Sequence, residues 1–290
     1  MSSPQEHTLK IGFIGQGYVG KHYADDFEGR GYRIVRYSLE KPFIDNKDHI
    51  PLCDIVFIGV PTPTTPEGFD DSIVRSAVAL VGKGKIAVIK STILPGTTVS
   101  IQEEFPDRTV LFSPEFLSEA SAREDVEKPF ASIVGMSLPE EQSTVAQDVL
   151  DILPNAPFTL LCSSTEAEIF KYAHNTSGYV QVVFFNMLFD LSQKMGGEWS
   201  TIQKAISADP YMTNQYANPL HKSGRGAGGN CFIKDFAALR SLYASTHPND
   251  LLGLGVLTAM EKKNIELLRD SKKDQHLLKG VYGESVLTKE

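Results

Sequence analysis

The 290-residue chain is long enough for about two domains with substantial cores. Its 41% hydrophobic and 22% charged residues match ordinary soluble globular proteins and exclude disordered and fibrous classes. With 28 Lys and Arg against 36 Asp and Glu, the net charge of −8 excludes a wholesale nucleic-acid coat, so an anionic ligand needs a local site.

In chain order, residues 9–14, 33–37, 54–60, 85–90, 109–112 and 132–136 read as short buried strands separated by Gly, Pro or polar segments. Their alternation with helical stretches predicts an α/β fold: a Rossmann-type, doubly wound parallel sheet over residues 1–162. Loops such as Pro61-Thr62-Pro63 and Leu94-Pro95-Gly96 follow strand ends, where open α/β sheets bind ligands. From residue 163 the texture becomes helical. Ser163 and Glu166 form a capping box, with Ser163 as N-cap. No Pro interrupts the chain from there to Met195, and Tyr172, Tyr179, Val183, Met187 and Leu191 recur at threes and fours. A spine helix of about 30 residues follows, opening an all-α central and dimerisation domain at 163–290. Shorter helices are expected at 200–207, 233–243 and 251–269, with a glycine-rich loop at 223–230 and a charged, frayed tail from Ser271.

The longest apolar run, near Ile55, has strand length and falls far short of the roughly 20 residues of a membrane span. The opening Met1 to His7 has neither the basic nor the apolar part of a signal peptide, and the cysteines (Cys53, Cys162, Cys231) are odd in number and dispersed. A reduced, soluble, cytoplasmic protein is the expectation. The seven histidines are scattered without HExxH or paired CxxC, so no metal site is expected, and no GxSxG elbow supports a hydrolase.

Gly15-Gln16-Gly17-Tyr18-Val19-Gly20 directly follows the first strand and opens a helix. Gly15 permits the tight turn, Gly17 the approach of a pyrophosphate, and Gly20 close helix–strand packing, which predicts dinucleotide binding. Where an acidic residue would hold the ribose hydroxyls, the second strand ends in Arg36-Tyr37-Ser38, with Glu40 beyond. Glu40 would suit NAD; Arg36 and Ser38 would suit the 2′-phosphate of NADP. NAD is favoured and NADP stays open. Lys171 and Asn175 are spaced i, i+4 on the long helix, a spacing that fits an oxyanion-holding pair and equally a solvated lysine beside a helix-neutral Asn. Cys231 sits after the glycine-rich loop at the apparent start of a helix, which fits a nucleophilic thiolate, while a small buried hydrophobe is the usual role of a free cysteine. Cys53 and Cys162 lie beside apolar runs and read as small core residues.

Five segments in order resemble the UDP-glucose/GDP-mannose dehydrogenase family. They are Gly12-Phe13-Ile14-Gly15-Gln16-Gly17-Tyr18-Val19-Gly20; Ser91-Thr92 with Pro95-Gly96-Thr97-Thr98; Ser113-Pro114-Glu115-Phe116-Leu117-Ser118-Glu119; Lys171-Tyr172-Ala173-His174-Asn175; and Gly228-Gly229-Asn230-Cys231-Phe232-Ile233-Lys234-Asp235. The resemblance implies a four-electron oxidation of the C6 alcohol of a nucleotide sugar, UDP-glucose above all, to a carboxylate with two NAD. It implies Cys231 as the nucleophile that traps the aldehyde, Lys171 and Asn175 as oxyanion donors, Asp235 and Thr92 as holders of a water, and Glu115 as general base. It further assigns Pro61, Thr62, Ser91, Thr92 and Lys234 to the cofactor beside the Gly15–Gly20 loop. Glu115, Phe116, Leu117, Glu119, Lys171, Asn175, Arg225 and Gly228 fall to the substrate.

Three departures fall on the sugar-nucleotide side. The family continues into a third, nucleotide-gripping domain, whereas this chain stops soon after the central helices. The family arginine that reaches a neighbouring subunit's sugar aligns near Tyr211, with Arg225 as a substitute. Ala227 stands where an aromatic is common. A β-hydroxyacid dehydrogenase, which has a similar Rossmann domain, spine helix and Lys-x-x-x-Asn pair but no nucleophilic thiol, is the nearest alternative. A catalytically silent NAD-binding protein is the other. The apolar spine predicts a homodimer, with neither nucleic acid nor membrane as partner.

Overall fold

The computed structural model describes residues 9–212 and 215–288; the Met1 to His7 segment lies outside the described residues. The strands are β1 Lys10–Ile14, β2 Arg33–Tyr37, β3 Ile55–Ile58, β4 Thr64–Thr65, β5 Gly68–Phe69, β6 Ile86–Ile89, β7 Thr109–Phe112, β8 Ala131–Met136 and β9 Phe158–Ser163. The first helices are α1 Tyr18–Gly29, α2 Ser72–Ala79, α3 Thr97–Glu104, α4 Ala122–Glu127 and α5 Pro139–Ile152. Then come α6 Ser164–Lys194, α7 Trp199–Ala208, α8 Gly229–Thr246, α9 Leu251–Asp270 and α10 Gln275–Tyr282. The chain divides into two compact units: residues 1–62 with 71–171, and residues 63–70 with 172–290.

In the first unit seven strands form one sheet in the order β2-β1-β3-β6-β7-β8-β9. Ile55, Val56, Phe57 and Ile58 are all buried, as a strand covered on both faces requires. Phe13, Phe27 and Phe57 pack with ring centroids 5.2 to 5.5 Å apart between the sheet and α1. Two features differ from the sequence expectation. The sheet is not wholly parallel: β8 runs antiparallel to β7, pairing Leu111 with Met136 and Phe112 with Gly135. Between them, among the described residues, lies the 6-residue helix α4. In addition, β9 closes the edge of the sheet, a strand outside the sequence expectation, with its apolar Phe158 and Leu160 exposed.

The second unit is helical. Helix α6 spans 31 residues, about 46 Å at 1.5 Å per residue, and its capping box is present: Ser163 N–H donates to Glu166 Oε2 at 2.9 Å and Glu166 N–H to Ser163 Oγ at 3.3 Å. Tyr179, Val183 and Phe236 form one core, with the Tyr179 and Phe236 rings stacked 3.9 Å apart. The expected boundary at 162/163 differs from the division at 171/172: the first two turns of α6 belong with the sheet, and the β4–β5 hairpin belongs with the helices. The tail is not frayed. Helix α10 buries Leu278 and Val281 against Ile233, Ala237 and Leu268. Leu277, Leu278, Val281 and Tyr282 make one apolar side, masked in the sequence by the charged stretch before it.

Candidate active site

Among the described residues three α-helices begin at a glycine that has no side chain with which to cap the orphan N–H groups: Gly17 before α1, Gly96 before α3 and Gly228 before α8. Two are capped from a distance. Glu168 of α6, wholly buried, accepts from Gly96 N–H at 2.6 Å, Thr98 N–H at 2.9 Å and Thr98 Oγ1 at 2.6 Å. Asp274 accepts from Gly229 N–H at 2.8 Å. Helix α1 has no side-chain cap and no acidic residue in its first turn.

That opening fits a dinucleotide. A Cβ on Gly15, whose φ is +89°, would stand 2.2 Å from the Gly59 carbonyl oxygen, and one on Gly20 would stand 1.9 Å from the Gly15 oxygen. These two glycines are required by packing, whereas the Cβ position of Gly17 faces open space. The α1 N-terminus therefore presents N–H groups where a pyrophosphate is stabilised by the helix dipole. Gln16 Oε1 is buried with no donor among the described residues. Val19 is half-buried, and the Tyr18 hydroxyl donates to the Ser118 carbonyl, drawing the 115–119 segment toward the start of α1. Ser91 Oγ accepts from Val60 N–H at 2.9 Å, fixing the loop that carries exposed Pro61 and buried Thr62; Thr92 is buried beside it. At the ribose end, Arg36 is committed elsewhere: its guanidinium pairs with Asp25 at 2.6 Å and Glu28 at 2.7 Å. Ser38 Oγ bonds the Glu40 backbone, and Glu40 is exposed.

The same unit holds a buried charge cluster. Lys171 Nζ donates to the Glu115 carbonyl at 2.5 Å and to Glu115 Oε1 at 3.1 Å, while Glu115 Oε2 accepts from Leu117 N–H at 2.7 Å. Burial pushes the Glu115 carboxyl up, but Lys171, the Leu117 N–H and Lys90 together outweigh it and hold the pKa below the usual carboxylate range. Glu115 is thus a permanent anion at neutral pH. Phe116 lies under the Lys171 ammonium, 5.3 Å from Nζ to ring centroid, and Glu119 is exposed on the following turn.

The second unit holds the other part of the set. Asn175, one turn past Lys171 on α6, donates to Asp235 Oδ2 at 2.7 Å, and Lys234 Nζ donates to Asp235 Oδ1 at 2.6 Å. Asp235 is 1% exposed, and Cys231, one turn before it on α8, is exposed. Burial pushes the thiols of Cys53 and Cys162 up to about 11, in keeping with an inert role. Among the described residues no group of three or more His, Cys, Asp and Glu is placed to hold a metal, and no helix is long and apolar enough to cross a membrane.

Residues 39–151 match the UDP-glucose/GDP-mannose dehydrogenase family's NAD binding domain, and residues 165–264 match its central domain. The chain belongs to this family. It is 30% identical to the UDP-glucose 6-dehydrogenase of Rickettsia conorii over 88% of its own length and 66% of the relative's. It therefore spans about two thirds of that curated relative. Its fold is similar to a UDP-glucose dehydrogenase of Pyrobaculum islandicum, with a TM-score of 0.76, 25% identity, and coverage of 93% of this chain and 72% of that one. The 3-hydroxyisobutyrate dehydrogenase of Mycobacterium tuberculosis shares the fold at a TM-score of 0.71 and 16% identity, over 97% of this chain and 98% of that one.

Two of the residues expected at the substrate have partners within the chain. Arg225 is bound to α6: Nε donates to Asn186 Oδ1 at 2.9 Å, Nη2 to the Asn186 carbonyl at 3.0 Å, and Nη1 pairs with Asp190 at 2.8 Å. Asn186 is 11 positions past Asn175, about 16 Å along the helix, so Arg225 does not join the Asn175–Asp235 group. Gly228 is a glycine because a Cβ there would stand 2.1 Å from Asp274 Oδ2, which accounts for it without a ligand. Two residues were missed in the sequence. Glu168 is one; Lys90 is the other, its Nζ bonded to the Ser113 carbonyl and Oγ at 3.1 Å each and 4.2 Å above the Tyr23 ring. Burial lowers the Lys90 pKa to about 7, with Glu115 opposing and Lys171 adding to the shift. Their signals were a lysine directly before Ser91-Thr92 and an acid one turn before Lys171.

Proposed function

We propose that this chain performs the NAD-dependent, four-electron oxidation of a nucleotide sugar, UDP-glucose first among candidates, at its C6 alcohol. The observation that carries the reading is Cys231, an exposed thiol in the first turn of α8, set one turn before a buried Asp235 that Asn175 and Lys234 hold. NAD, when bound, accepts a hydride from the sugar carbon in each of the two oxidations. The Cys231 thiolate adds to the aldehyde carbon, and the carbonyl oxygen takes the electron pair as an oxyanion, stabilised by Lys171 and the Asn175 amide. The second oxidation leaves a thioester. Asp235 and Thr92 hold the water that cleaves it, releasing the carboxylate and returning the thiol. Glu115, kept anionic by Lys171, acts as the acceptor that orients that water or a sugar hydroxyl. NAD over NADP is supported by Arg36, whose charge two α1 carboxylates already neutralise.

The test is NADH formed per sugar with UDP-glucose, GDP-mannose and UDP-N-acetyl sugars. Two NADH per sugar, abolished in Cys231→Ala, is the expected result. One NADH, unaffected by Cys231→Ala, would favour a second reading: a two-electron oxidation of a β-hydroxyacid, which needs the Lys171 and Asn175 pair and no thiol. NAD binding with no NADH from any substrate would indicate a silent protein. A homodimer is proposed from the exposed apolar side of α6, where Phe184, Met187 and Leu191 are 40 to 57% exposed, and a monomeric mass by light scattering would refute it. A cytoplasmic setting is proposed with it, supported by the thiol usage.

A further inference from the structure

We propose that the α9–α10 junction, through Asn264, Ser271, Lys273 and Asp274, is the positioning device for the loop that presents Cys231. The proposal rests on the reading of Cys231 as the nucleophile. The loop before Cys231 is glycine-rich, which by composition means a floppy chain with high conformational entropy. The structure gives it four anchored positions instead. Arg225 N–H donates to Ser271 Oγ at 3.0 Å, and Lys273 Nζ donates to the Gly226 carbonyl at 2.9 Å. Asn264 pairs both ways with one backbone residue, accepting from Ala227 N–H at 2.7 Å and donating to the Ala227 carbonyl at 2.9 Å. Asp274 then accepts from Gly229 N–H at 2.8 Å and so caps the very helix whose first turn holds Cys231.

The spacing of the glycines follows from this arrangement. Gly224, Gly226 and Gly228 are the positions at which the bent loop lies against the junction. A Cβ on each would stand 2.6 Å from Ser271 Oγ, 3.0 Å from Asn264 Oδ1 and 2.1 Å from Asp274 Oδ2, in that order. The glycine side of the loop is thus shaped to the chain's own junction, not to a phosphate. Asn264 is 1% and Lys273 4% exposed, so these two anchors are built into the core, while Ser271 and Asp274 are half-buried at its edge.

The test uses the full chain and two readouts that need no substrate: amide hydrogen exchange and the rate of Cys231 alkylation by iodoacetamide, followed by peptide mass. In the wild type, the Ala227 and Gly229 amides exchange with the slow protection of α10, and unprotected exchange would overturn the proposal without any variant. Asp274→Ala is expected to speed Gly229 exchange at least tenfold and to change the Cys231 alkylation rate at least fivefold. Asp274→Asn keeps an acceptor oxygen and rescues both to within about twofold. Gly228→Ala is expected to reproduce Asp274→Ala, and the double variant to be no worse than either alone, because the clash and the lost cap are one event. Unchanged readouts in Asp274→Ala and Gly228→Ala, or a failed rescue by Asp274→Asn, would refute the proposal whatever the enzyme's substrate proves to be. Should turnover hold as proposed, Asp274→Ala lowers NADH per sugar from two toward one at unchanged KM for NAD.

Discussion

Removing the Lys171 charge exposes what holds the first unit's polar core together. Lys171→Met keeps the length of the side chain and deletes the ammonium that donates twice to Glu115. The side chains of the pair are 4% and 9% exposed, so water cannot take over. Breaking a buried pair by removing one partner costs about 3–5 kcal/mol. Lys90 and the Leu117 N–H still face the carboxylate, which places the expected loss near the lower end, about 3 kcal/mol. For a chain of this size that is a fall of roughly 5 °C in Tm at pH 7. The pH dependence has a definite sign. In the wild type the Glu115 pKa is lowered on folding, so its contribution is present above the ordinary carboxylate range and is lost as pH falls through it. In Lys171→Met burial dominates, the carboxyl takes up its proton earlier, and the variant is relieved on acidification. The gap therefore narrows from pH 7 toward about pH 4, near the ordinary glutamate pKa. Urea unfolding across that range reads it, and Lys171→Met/Glu115→Gln should recover at least half of the loss. A Lys171→Met variant within about 1 kcal/mol of wild type at pH 7, or a gap that widens in acid, would refute the reasoning.

Three more outcomes are expected. Glu168→Gln leaves an amide NH2 facing a backbone donor at Gly96 or Thr98 and should cost about 2–3 kcal/mol by thermal unfolding; a neutral substitution would mean the α3 cap is idle. Lys90 has a lowered pKa in the fold, so the unfolded chain binds its proton more tightly and wild-type stability should rise, relative to Lys90→Met, as pH climbs from about 7 to 10. A flat difference over that range would contradict a buried, desolvated ammonium. Asp25→Asn/Glu28→Gln frees the Arg36 fork and should move the ratio of KM values at least tenfold toward NADP, whereas an unmoved ratio would separate Arg36 from the ribose end.

The parts of the fold that were legible are those encoded locally. A capping box at Ser163 and Glu166 followed by an unbroken, Pro-free stretch announces α6. The steric needs of Gly15 and Gly20 are met within a few residues of each. Strand direction is not written in an apolar run, so the antiparallel β8 was invisible. The amphipathic α10 was hidden by the charged residues before it, and β9 carries an apolar run, Phe158 to Cys162, that the sequence reading passed over. In the site, Cys231, Lys171, Asn175 and Asp235 carried motif spacing. Lys90 and Glu168 did not, because their partners lie 23 and 70 to 72 positions away.

The borrowed caps set an order of assembly. As a growing chain emerges, α3 is complete long before Glu168 is made, and α8 long before Asp274. Each helix start waits, with open amides, for an acid supplied by a later segment. Synthesis halted at residue 162 would thus yield every strand of the sheet down to most of β9, yet leave Gly96 and Thr98 with donors and no acceptor. The sheet unit matures only when the first two turns of α6 arrive, and the cysteine loop only when the α9–α10 junction follows.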